Sequence, residues 1–180
     1  MNALAVFGIS VLGSFVSSAI AARLLVWPWL RNLDRNHALA WLVAPHMFLR
    51  FIGLSLLVPG VVSPLLPSGF AIPTAVGDFI AGVLAIVSTI GLMKRTSWAI
   101  NSAWLFTIWG AADFLFAFYQ GPRVGLQPGM LGAAFLIITA IVPPLLVTHA
   151  LTLCLLAGRT ATELDRNQPV GHGQLSSQVR

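Results

Sequence analysis

Charged side chains are scarce: Lys, Arg, Asp and Glu make up 8% of the 180 residues, against 57% hydrophobic. A soluble domain usually carries about a quarter charged residues, so this chain has too few to build a water-facing surface. The lipid bilayer is therefore expected to be its main solvent and its first partner. Cysteine occurs once, as Cys154 in an apolar stretch, which removes any intramolecular disulfide or Cys-based metal cluster. Lysine also occurs once, as Lys94 between two apolar runs, so no span offers an amine for a retinal-type Schiff base. A Gly-rich phosphate loop, an HExxH zinc helix and a GxSxG elbow are all missing, and no residue is singled out as catalytic.

Five apolar segments are long enough to cross a hydrocarbon core, which takes about 20 helical residues. They run roughly over Ala3–Ala22, Ala38–Val58, Ala71–Leu92, Trp98–Tyr119 and Met130–Ala157. This predicts an all-α fold, a polytopic bundle of five transmembrane helices over residues 1–158. A polar tail over 159–180 follows, too poor in apolar residues to fold on its own and expected to be disordered. Ala19-Ile20-Ala21 resembles a signal-peptide cleavage site, but no positive region precedes the first apolar run and Arg23 follows it, so an uncleaved first span is expected.

The formal charge of +5 does not form a basic stripe of the kind that tracks a phosphate backbone, and nucleic acid is not an expected partner. The basic residues fall instead into alternate gaps. Arg31 and Arg35, with Arg23 at the span's edge, occupy the first gap, Lys94 and Arg95 the third, and Arg159, Arg166 and Arg180 the tail. The second gap has no basic residue and the fourth has only Arg123. The positive-inside rule then puts the N-terminus outside and the C-terminus in the cytoplasm. The heavy use of Arg, Ala, Leu and Gly suits a bacterial plasma (inner) membrane protein.

Ser10, Ser14 and Ser18 repeat at four-residue spacing on the first span and form a smooth ridge for helix packing. The ridge serves either a neighbouring helix of the same chain or a subunit of a homo-oligomer or larger membrane complex. Gly77, Ala81 and Ala85 repeat the theme on the third span.

Ionisable residues inside apolar spans are costly and are the main functional pointers. At about 1.5 Å per helical residue, Arg50, Asp78 and Asp113 all fall roughly 9–12 Å below the outer ends of their spans. One Arg and two Asp at a shared level, with net charge −1, suit an ion-pair cluster able to hold a proton or a cation; a purely structural polar cluster is the alternative. His46 and His149 match in depth in the inner half, roughly 12 Å from the inner ends of spans two and five. They are candidate ligands for a b-type haem or a shared metal, or else hydrogen-bonded structural histidines.

The fourth span carries Ser102, Phe106, Trp109, Asp113 and Gln120 on one stripe, so Trp109 and Asp113 suggest an aromatic-lined carboxylate site for an organic cation. Pro45 and Pro143-Pro144 are expected to break helical hydrogen bonding beside the two histidines. Three functional readings remain open: a small-ligand- or proton-handling membrane protein, a haem-binding redox protein, and a non-catalytic accessory subunit.

Overall fold

The computed structural model describes residues 2–166; of the tail expected from residue 159, everything past Arg166 lies outside the described residues. The fold is all-α, with no β-strand among the described residues. Five helices are long and apolar enough to cross a membrane: α1 (Ala3–Leu30), α2 (Arg35–Leu57), α3 (Ser68–Met93), α4 (Ala99–Arg123) and α5 (Ile137–Gly158), the last continuing as helix to Arg166. They follow the five apolar runs, with α1 extending further than expected, through Trp27-Pro28-Trp29-Leu30.

Local chemistry explains the ends and the irregularities. Asn2 caps α1 by accepting from the Ala5 amide at 2.7 Å, and Asp34 caps α2 by accepting from the amides of Asn36 and His37. Proline accounts for the breaks within helices, because it lacks an N–H and crowds the carbonyl four residues earlier. Ahead of Pro28 the chain widens into a π-turn over Ala22–Val26, and ahead of Pro143-Pro144 into another over Ile137–Ile141. At Pro45 the α-helix of Arg35–Val43 is interrupted, restarts at His46 and tightens into a 3-10 helix over Arg50–Leu57. Pro73 leaves the Gly69 carbonyl without its helical donor, and the Gln120 side chain of α4 supplies one at 3.3 Å.

α3 and α4 pack closely because Ala81, Ala85, Ala99 and Ala103 are small and fully buried. Leu39, Val43, Leu92, Phe106 and Leu156 complete this core, which lies toward the end of the bundle bearing Lys94 and Arg95. α1 is different: none of its residues from Ala3 to Ala21 is fully buried. It leans on α5, with Ser10, Ser14 and Ser18 half-buried while Gly8, Gly13 and Ser17 stay exposed. At the opposite end, a 3-10 segment (Pro128–Ala134) is tied to the connection after α2, where Ala133 N–H donates to the Val61 carbonyl and Ser63 N–H to that of Met130. Gly132 adopts φ 54° there, and a side chain on it would meet the Val61 carbonyl.

Candidate functional site

Arg50 is the first residue of the 3-10 stretch and is 1% exposed. Its Nη1 donates to Asp78 Oδ1 of α3 and Asp113 Oδ2 of α4, each at 2.6 Å, while Nη2 donates to the Gly110 carbonyl at 3.1 Å. The three residues expected at a common depth therefore meet. Both carboxylates share one guanidinium nitrogen and do not spread across the fork, because the second nitrogen is held by α4's own backbone. Arg50 Cζ lies 3.7 Å from the centroid of the Phe114 ring, a cation–π contact that covers the remaining face.

Three glycines on three successive helices make the approach possible. A Cβ on Gly53 of α2 would collide with Asp78 Oδ2, and one on Gly77 of α3 with Asp113 Oδ1. A Cβ on Gly110 of α4 would collide with His149 Nε2 and come within 3.0 Å of Arg50 Nη2. Each polar group thus sits in a notch cut into the adjacent helix. Only Gly77 stood out in the sequence; Gly53 and Gly110 each lie three residues from a charged residue, which is the signal that marks them in retrospect.

His46 and His149 also meet, with ring centroids 4.6 Å apart and an interplanar angle of 33°. The Thr148 hydroxyl donates to the Leu145 carbonyl at 2.9 Å, so its oxygen accepts from His46 Nε2–H, also at 2.9 Å. Among the described residues His46 Nδ1 and both nitrogens of His149 have no hydrogen-bond partner. Phe106 packs edge-on against both rings, at centroid distances of 5.0 and 4.8 Å. With the imidazoles in direct contact and one nitrogen committed to Thr148, inserting a porphyrin iron between them would require the helices to part. Among the described residues no group of three His, Cys, Asp or Glu is placed to hold a metal.

The expectation of two separate polar layers is corrected by the tertiary structure. Gly110 faces both His149 and Arg50, and the Phe114 ring touches the guanidinium and lies 5.8 Å from His149. The ion centre and the histidine pair form one continuous buried polar core. His46 and Arg50 are only one α-helical turn apart, and the 3-10 rise over Arg50–Leu57 sets Arg50 deeper below the end of its span than a straight α-helix would.

Next to this core lies a cavity of ≈ 400 Å³, walled mainly by apolar side chains from all five helices, with Leu126, Pro128 and Leu131 of the α4–α5 connection also in its wall. Its polar wall consists of Asp78, Asp113 and Thr74; Arg50 is hidden behind the carboxylates and neither histidine reaches the cavity. Thr74 is 9% exposed and its Oγ1 has no hydrogen-bond partner among the described residues. Trp109 does not line the cavity: it is 39% exposed and donates from Nε1 to the Gly77 carbonyl at 3.2 Å, and Phe114 is the aromatic residue beside Asp113. The serine ridge lies on the half-buried side of α1, which packs against α5.

A separate polar cluster lies in the connections at the Lys94 end. Asp34 contacts the His37 ring, and Arg95 Nη2 donates to Asp34 Oδ2 at 3.0 Å. The hydrogen bond from His37, helped by the charge of Arg95, holds the Asp34 carboxyl below its usual range.

A family model described as a domain of unknown function (DUF8737) matches residues 6–157, nearly the whole five-helix unit. No curated protein and no solved structure matches the chain.

Proposed function

Because the chain belongs to the DUF8737 family, whose function is unknown, its role is argued here from the site, and we propose that it is a multi-pass membrane protein that binds a small cationic ligand in the ≈ 400 Å³ cavity. One observation carries this reading: Asp78 and Asp113 line the cavity while Arg50 stands behind them. With both carboxylates ionised, one Arg and two Asp leave a net charge of −1, and the negative groups are the ones presented to a guest. A cation entering this apolar chamber completes the charge balance, whereas an anion would face two carboxylates in a low-dielectric space. The volume falls in the range of about 300–1,000 Å³ usual for small-molecule sites. A proton is the smallest cation the same centre can hold, and proton-coupled binding is compatible with this arrangement.

The distribution of Arg31, Arg35, Lys94 and Arg95 supports an orientation with the N-terminus outside and the C-terminus in the cytoplasm, and the heavy use of Arg, Ala, Leu and Gly supports a bacterial inner membrane. The cavity would then lie toward the outer face.

Thermal unfolding of the purified chain with matched cationic, neutral and anionic small molecules of the same apolar body tests the binding reading. Cationic members should raise the unfolding temperature, and Asp113→Asn and Asp78→Asn should each remove the effect. Equal stabilisation of both variants and the parent protein would dismiss the proposal. Reporter fusions in each connection test the orientation, and an extracellular signal after Lys94 would reverse it.

A further inference from the structure

The cavity does not end beside the carboxylates. An apolar groove of ≈ 330 Å³ between α1, α4 and α5 shares Phe7, Val11, Phe118, Ile138 and Val142 with it, so the two spaces adjoin along these side chains. From Leu4 at the cavity end the wall follows α1 to Phe15, about 16 Å of helix at 1.5 Å per residue. Leu12 and Phe15 are 64% and 44% exposed, so the groove opens sideways between helices and not at a bundle end. Its α1 wall is the least buried helix of the five, and opening it disturbs little packing. Gly8 lines the groove, and a Cβ there would meet nothing within 4 Å.

The shape and polarity of the combined space describe an occupant. The cavity's polar wall offers the two carboxylates and the unpartnered Thr74 hydroxyl oxygen, three acceptors in all. A primary ammonium has three N–H donors and one positive charge, which matches this wall in number and sign. The groove is almost wholly apolar and elongated, as an alkyl chain requires. We propose that the ligand is a single-chain amphiphile with a protonated amine head, which enters sideways from the bilayer, sets its head at Asp78 and Asp113 and lays its chain in the α1–α5 groove. This rests on the cation-binding reading above and adds the ligand class and the route.

The test uses the full chain in lipid nanodiscs and dodecylamine carrying a diazirine at its terminal carbon. Photolysis followed by peptide mass spectrometry should place the label on residues 8–15 of α1 or 142–146 of α5. Excess unmodified dodecylamine should reduce that labelling at least tenfold, and a dodecanol probe with the same tail should give no labelling that can be competed away. Gly8→Phe should reduce dodecylamine labelling at least tenfold while leaving butylamine stabilisation unchanged, since only the chain is obstructed. Competable label on residues 126–131 would overturn the groove and leave the cation site standing. Labelling that is unchanged in both Asp113→Asn and Asp78→Asn would overturn the cation site and this proposal together. Equal competable labelling by the alcohol would overturn the amine assignment.

Discussion

Replacing Gly77 with Ala puts a methyl group where the Asp113 carboxylate lies. The new Cβ would overlap Oδ1 and stand 2.8 Å from Cγ, where carbon–carbon contacts settle at about 3.5–4.0 Å. Two kinds of relaxation are open. If Asp113 swings away, its 2.6 Å bond to Arg50 is lost or weakened, and a charge-assisted bond contributes about 1.5–3 kcal/mol. If α3 and α4 separate, contacts around Ala81, Ala85 and Ala103 loosen, and overpacking of this kind costs about 1–3 kcal/mol. The better helix propensity of Ala offsets about 1 kcal/mol, leaving a net loss of up to about 2 kcal/mol. For a chain of this size that lowers the unfolding temperature by up to roughly 8 °C. The assay is tryptophan-fluorescence unfolding in detergent. Gly8→Ala is the internal control, because nothing lies within 4 Å of that site and the same substitution should there be neutral or stabilising. In an Asp113→Ala background the penalty at Gly77 should disappear, a coupling that a double-mutant cycle measures directly. A Gly77→Ala protein as stable as Gly8→Ala would refute the notch between α3 and α4.

Arg50→Met should destabilise the fold by about 3–5 kcal/mol by stranding two carboxylates, whereas adding Asp78→Asn and Asp113→Asn should recover most of the loss in the same unfolding assay. Arg95 sits at φ 52° in the left-handed turn ending α3, where Thr96 N–H donates to the Gly91 carbonyl. Arg95→Gly should therefore be close to neutral, relief of the backbone offsetting the lost Asp34 contact, and Arg95→Val should lose about 1–2 kcal/mol by chemical denaturation, since a β-branched side chain resists that backbone. Asp34 titrates below the ordinary aspartate value of about 3.9 in the folded chain, so its charge stabilises fully above that value and the contribution disappears as pH falls through the lower folded value. Unfolding of the parent and Asp34→Asn should differ at neutral pH and converge in strong acid, Asn retaining the helix cap; a difference that widens on acidification would contradict the His37 and Arg95 contacts.

Much of the architecture was legible along the chain because bilayer-length apolar runs and prolines act locally. The five runs map onto five helices, and the breaks fall at Pro45 and ahead of Pro143-Pro144, where a missing N–H leaves a carbonyl without a donor. The choice of Arg50, Asp78 and Asp113 needed only the rarity of charge. Azimuth was less accessible. Trp109 shares a stripe with Asp113 in sequence, yet its ring turns outward to the Gly77 carbonyl while Phe114 covers Arg50. A straight-helix ruler also set Arg50 in a layer apart from His46 and His149, because the 3-10 stretch between Arg50 and the end of its span rises further per residue.

The sequence by itself determined that the chain is a helical bundle suited to lipid, with one cation and two anions inside it, since hydrophobic length and charge count are properties of composition. Tertiary structure decided which sign the cavity presents. That choice depends on how closely α2, α3 and α4 approach at Gly53, Gly77 and Gly110, and backbone clearance between helices distant in sequence is set only once they pack.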